Sequence, residues 1–158
     1  MAGAEIIGAA IGVLLLVLVG YIMVGSTLSS AEIVASAQKE LTLRNEAALR
    51  TSITISSPKI SSSYFNFSLN NTGNEVIGDF THMDIFSWDG VSTGYQRYTY
   101  NQSGDIGTWK IEKIDPDFIH PKMLDPGEAM WIRATFTPDT PTWILITTSN
   151  GVFTSRYI

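Results

Sequence analysis

The chain has 158 residues, a net charge of −5 and no cysteine. That is enough for one ordinary domain and an appendage, and it excludes a disulfide framework, a thiolate nucleophile and a cysteine metal site. The ten Lys and Arg residues are scattered, which argues against nucleic acid as a partner, because displacing phosphate counterions takes concentrated positive charge.

The mean hydropathy of +0.12 averages two unlike parts. Residues 1–28 are almost wholly apolar, and from Ile6 to Leu28 the only ionisable side chain is that of Tyr21. As a helix this stretch is roughly 34 Å long, enough to cross a hydrocarbon core of about 30 Å. It predicts a transmembrane helix over 1–28. Glu5 stands where a secretory signal would carry basic residues, and the apolar core is longer than a signal's, so the segment reads as retained. Gly8 and Gly12 form a small-xxx-small pair, with Gly20 beyond them. Such residues let helix backbones approach closely in lipid, although glycine is also simply common in membrane helices. Glu5, Gly8, Gly12 and Gly20 are therefore the candidate membrane and helix-packing residues.

Lys39, Arg44 and Arg50 all follow the apolar span, and a strict positive-inside count would leave the remainder in the cytoplasm. Three sequons point the other way: Asn66-Phe-Ser68, Asn70-Asn-Thr72 and Asn101-Gln-Ser103. They predict an extracytoplasmic domain with Asn66, Asn70 and Asn101 as candidate N-glycosylation sites.

Residues 29–50 lack Gly and Pro and are rich in Ala, Glu, Lys, Leu and Arg, which favours one continuous helix from about Ala4 to Arg50. Ile33, Ala37 and Leu41 make a narrow stripe. Either this half is a helical stalk, or the stripe packs on the protein's own β domain.

From Thr51 the period becomes two. TSITIS, SYFNFSL, THMDIFSW, TGYQRYTY, GTWKIEKI, LDPGEAMWIRATF, TWILITTS and VFTSRY read as strands. Asp89-Gly90 gives a tight-turn signal, and Asn150-Gly151 predicts a type I′ hairpin. About eight short strands over 51–158 without a helical pattern predict an antiparallel immunoglobulin-like β-sandwich. The fold class is α+β, a long hydrophobic helix followed by the sandwich. The Cys-Trp-Cys signature of true immunoglobulin domains is missing.

Signals for chemistry are thin. His82 and Asp84, two apart on a predicted strand, share a side, but two ligands do not make a metal site. His120 and the loop carboxylates Asp115, Asp117 and Asp125 lack the order of a calcium loop. No nucleophile elbow or phosphate loop occurs, so no catalytic residue, cofactor or metal is expected, and the chain does not read as an enzyme. Trp88, Tyr95, Tyr98, Tyr100 and Trp109 cluster around the middle strands. They are either cross-strand core pairs or, where exposed, members of a binding face.

A hydrophobic N-terminal helix, a helical stalk and a β-sandwich resemble the plan of type IV pilin-like proteins. The stretches GAEIIGAAIGVLLLVLVGYIMVGSTLSSAEIVASAQKEL, NNTGNEVIGDFTHMDIF and MLDPGEAMWI resemble the small F-type and G-type stator proteins of the archaellum. The resemblance implies a membrane-anchored, non-enzymatic component of a surface motor. Its implied partners are an S-layer or other envelope protein, other archaellum subunits and the membrane, and it implies a homo- or hetero-oligomer. A filament subunit, pilin or archaellin, is the alternative, and a ligand-binding adhesion module is a third. In mature pilins a glutamate at position five lies near a neighbour's terminal amine. In a stator, Glu5 would sit at the membrane interface, favoured by the positive end of the helix dipole.

Overall fold

The computed structural model describes residues 2–91, 94–136 and 139–158. Its first element, α1 (Ala2–Arg50), is one uninterrupted helix. Met1, the residue that the pilin reading pairs with Glu5 of a neighbour, lies outside the described residues. Along α1 the hydroxyls turn inward onto their own helix. Thr27 donates to the Met23 carbonyl at 2.6 Å, Ser30 to Ser26 at 2.9 Å and Ser36 to Ile33 at 2.8 Å. These bonds satisfy polar groups without water. The helix is long and apolar enough to cross a membrane, and it is apolar all round through its first half, the composition of a helix built for lipid or for burial among other helices.

By contact density the chain divides into Met1–Leu43 and Arg44–Ile158. In the second unit the helix ends at Thr51, whose hydroxyl donates to the Ala47 carbonyl at 2.8 Å and closes the last turn. Arg50 pairs with Glu75 at 2.9 Å, fixing that turn to the loop after β2.

Eight strands follow: β1 (Ile53–Ile60), β2 (Tyr64–Asn71), β3 (Asp84–Trp88), β4 (Gln96–Tyr100), β5 (Thr108–Asp115), β6 (Ala129–Thr135), β7 (Trp143–Thr147) and β8 (Phe153–Tyr157). They form a single sheet in the order β1-β2-β6-β5-β4-β3-β7-β8. Its two ends approach each other, and Arg156 of β8 donates to the Ile55 carbonyl of β1 at 2.8 Å. The sheet is thus nearly closed, and its two halves face each other as the layers of a sandwich.

The core is what period two predicts. Phe65, Phe67 and Leu69 of β2 and Met130, Ile132 and Ala134 of β6 point inward and are buried. Ile85, Tyr98, Ile144 and Ile146 meet them from the other half. Phe65 sets its ring edge-on to Tyr98, with centroids 5.4 Å apart.

Three local expectations are corrected. The sheet is not wholly antiparallel: β4 and β5 pair in parallel through Thr99–Thr108 and Tyr100–Trp109. Their connection crosses from one half-sheet to the other instead of folding back, so the two strands run the same way. The β7–β8 turn is not type I′, which needs positive φ at both central residues. Only Gly151 has it (φ 85), and the Gly151 amide donates to the Thr148 carbonyl at 3.0 Å, giving a three-residue loop with a glycine bulge. Asp89-Gly90 opens a longer connection, in which Ser92 and Thr93 lie outside the described residues, as does the start of the strand expected over 93–100.

The Asp125-Pro126-Gly127-Glu128 turn has type II features. Gly127 has φ +84 and Glu128 N–H donates to the Asp125 carbonyl at 3.1 Å. A Cβ on Gly127 would meet nothing within 4 Å, so backbone conformation alone sets the cost of replacing it. Gly127→Ala is expected to destabilise the β domain by about 1–2 kcal/mol, with Gly127→Asn recovering part of that, because Asn tolerates the left-handed region. Chemical-denaturation midpoints check this, and equal stability of all three proteins would refute it.

Candidate interaction surface

The two outward faces of the sandwich differ in chemistry. On the β1-β2-β6-β5 half the outward positions carry Ser56, Asn66, Asn70 and Trp131 among others, with Arg133 stacked 4.4 Å from the Tyr64 ring centroid. On the β4-β3-β7-β8 half, register places Trp88 beside Trp143 and Trp143 beside Tyr157. Tyr95 extends this row, its ring centroid 5.9 Å from that of Trp143. The next row is Arg97, Phe86, Leu145 and Ser155, and the third is Thr99, Asp84, Thr147 and Phe153.

This face is apolar and open. Tyr95, Tyr157 and Phe153 are 69%, 73% and 67% exposed, and Phe86, Trp88, Trp143 and Leu145 are half-buried. Arg97 and Asp84, 2.9 Å apart, form a close charge pair on it that is internally neutral. The aromatic row also lies at a definite pole. The β7–β8 turn meets the start of the domain, where the Asn150 amide donates to the Thr51 hydroxyl at 2.7 Å. Trp143 and Tyr157 are at the opposite end of that hairpin, roughly 13 Å along the strands from Thr147 and Phe153.

Of the five aromatics singled out in the sequence, the structure brings two to this face, Trp88 and Tyr95. Tyr98 and Trp109 are 1% and 0% exposed and belong to the core. The Tyr98 hydroxyl hydrogen-bonds to Ser87 at 3.0 Å, and burial pushes its pKa upward. Tyr100 is half-buried against Trp109, with centroids 4.8 Å apart. Sequence reasoning missed Phe86, Trp143, Leu145, Phe153 and Tyr157. A signal for two of them was present: TWILIT is apolar at both its odd and even positions, the mark of a strand apolar on both faces.

Glu5 lies in the first turn of α1. A Cβ on Gly8, Gly12 or Gly20 would meet nothing within 4 Å. Asn66 and Asn70 lie on β2, and Asn101 lies in the β4–β5 connection.

His82 and Asp84 do not share a strand side. His82 ends a 3₁₀ turn, Phe80–His82, and pairs with Asp79 at 2.7 Å, while Asp84 opens β3. The Asp79 carboxyl is held below its usual range by hydrogen bonds from Thr81 and then His82. His120 pairs with buried Asp125 at 2.7 Å, and that hydrogen bond lowers the Asp125 pKa. Among the described residues no three His, Cys, Asp or Glu side chains gather to hold a metal.

No family model and no curated protein matches the chain. Among solved structures it is similar to the archaellum periplasmic stator protein FlaG from Sulfolobus acidocaldarius, at 18% identity and a TM-score of 0.53, over 68% of this chain and 99% of that one. It is also similar to a chain in the archaellum periplasmic stator protein complex of FlaF and FlaG from the same organism. There the identity is 20% and the TM-score 0.53, over 67% of this chain and 87% of that one. At these identities the similarity is one of architecture: this chain has the fold of archaellum stator proteins.

Proposed function

We propose that the chain is a membrane-anchored, non-enzymatic stator of an archaellum, holding an envelope layer through the outward face of β4-β3-β7-β8. The observation that carries this reading is the Tyr95-Trp88-Trp143-Tyr157 row at the pole of the sandwich remote from Thr51, exposed at Tyr95 and Tyr157 and half-buried between them. Aromatic side chains offer large contact area at small entropic cost and dominate interface energetics. Supporting it are the FlaG fold and the complex of FlaF with FlaG, in which the partners are archaellum subunits. In this reading α1 anchors the chain, the segment up to Arg50 is its stalk, and the sandwich is extracytoplasmic. An oligomer would engage the layer at several points, gaining avidity from effective concentration.

The test uses cells carrying the full-length chain. Protease added to spheroplasts is expected to remove the β domain without lysis. Protection until lysis would overturn the placement. Polymerisation of the purified chain into filaments would replace the stator with a filament subunit.

A further inference from the structure

We propose that Asn101 is the N-glycosylation acceptor of the folded chain, and that folding closes the other two sequons. The cellular event rests on the extracytoplasmic placement proposed above; the choice among sequons rests on geometry alone.

Asn101 is exposed, and so are Gln102 and Ser103. The side-chain Oδ1 accepts from Ser103 N–H at 3.1 Å, while Nδ2 has no hydrogen bond among the described residues. The carbonyl accepts from Gly104 N–H at 3.0 Å, so the sequon lies in a tight surface turn. The connection is fixed at its far end, where Gly107 N–H donates to the Thr135 carbonyl at 2.9 Å. The Asn101 N–H donates to the Trp109 carbonyl at 2.8 Å, at the end of the short β4–β5 pair, so entry into a transferase groove costs at most that terminal bond and opens no strand flanked on both sides.

The other two sequons lie on β2, which is flanked on both sides, by β1 and by β6. Asn66 is laddered to Lys59 and Arg133, its Oδ1 is buried, and the hydroxyl-bearing Ser68 is 4% exposed. Asn70 has its Nδ2 committed, donating to the Ser56 hydroxyl at 2.7 Å, while its Oδ1 accepts from Ser68 at 3.0 Å. Presenting either one means unzipping a central strand.

The donor is a glycan linked through phosphate to a polyprenyl carrier. Asn101 Nδ2 bonds to the anomeric carbon as that carbon's C–O bond to the carrier phosphate breaks. The phosphate leaves with the electron pair, and the Nδ2 proton passes to a base of the transferase. The glycan would emerge six residues beyond Tyr95, roughly 20 Å along the strand direction, leaving the aromatic row clear.

The experiment offers the purified full-length chain, folded and urea-unfolded, to an oligosaccharyltransferase that recognises Asn-x-Ser/Thr, with a polyprenyl-phosphate-linked glycan. Peptide mass spectrometry reads the occupancy of each site. In the folded chain Asn101 is expected to be occupied at least tenfold more than Asn66 or Asn70. Unfolding is expected to bring all three within a few-fold of one another, and Asn101→Gln should leave the folded chain unmodified. Comparable occupancy of Asn66 or Asn70 in the folded chain, or no transfer to Asn101, would overturn the proposal. A β domain found in the cytoplasm would remove the cellular event and leave the in vitro preference standing.

Discussion

Trp109→Ala is expected to lower the stability of the β domain by about 3–5 kcal/mol, the range for truncating a fully buried aromatic. Trp109 is 0% exposed and sits where the two half-sheets meet at the parallel β4–β5 pair, its ring against Tyr100. Removing the indole opens a cavity that a ladder fixed on both sides of β5 cannot collapse to fill. Trp109 Nε1 is buried with no hydrogen-bond partner among the described residues, and a stranded donor of this kind costs about 1–3 kcal/mol. Trp109→Phe deletes that donor and keeps a ring, so it should cost less than half as much as the alanine variant. Thermal or chemical unfolding followed by near-ultraviolet circular dichroism measures both. A loss below about 1 kcal/mol for Trp109→Ala would mean that the core does not close there as described.

What the sequence conveyed was the part of the structure that is local. Strand positions follow from alternation, as in Tyr64 outward with Phe65, Phe67 and Leu69 inward. The unbroken helix to Arg50 follows from the absence of Pro and of stop signals. What was not legible depends on which strands become neighbours. Tyr98 and Trp88 are both strand aromatics, but Tyr98 faces Phe65 across the sandwich while Trp88 lies beside Trp143. The β3–β7 pairing that joins Trp88 to Trp143 spans more than fifty residues, and no local pattern specifies it. The Asn150-Gly151 dipeptide located a hairpin correctly but not its geometry, because only one of the two residues has positive φ. His82 fell outside its expected strand because β3 begins only at Asp84.

The second large effect concerns the outward faces. Trp143 and Trp131 are matched: both are half-buried tryptophans pointing outward from central strands, one on each half of the sandwich. Trp143 lies between Trp88 and Tyr157 in the aromatic row. Trp131 lies in a polar setting under Lys113, whose ammonium is 5.8 Å from its ring centroid. If the row is the binding face, Trp143 is at its centre, where truncation of a hot-spot residue costs about 2 kcal/mol or more. That corresponds to roughly a thirtyfold loss of affinity. Trp131→Ala should leave binding within about twofold, since a residue outside the contact contributes nothing to it. Any general loss of stability would affect both variants, so the difference between them isolates the face.

The most direct measurement is co-sedimentation of the chain, held in lipid nanodiscs, with isolated S-layer sheets, comparing wild type, Trp143→Ala and Trp131→Ala. Saturable pelleting of wild type and Trp131→Ala is expected, with pelleting weakened at least tenfold for Trp143→Ala. No pelleting of the wild-type chain, or equal loss in both variants, would contradict binding through the aromatic row.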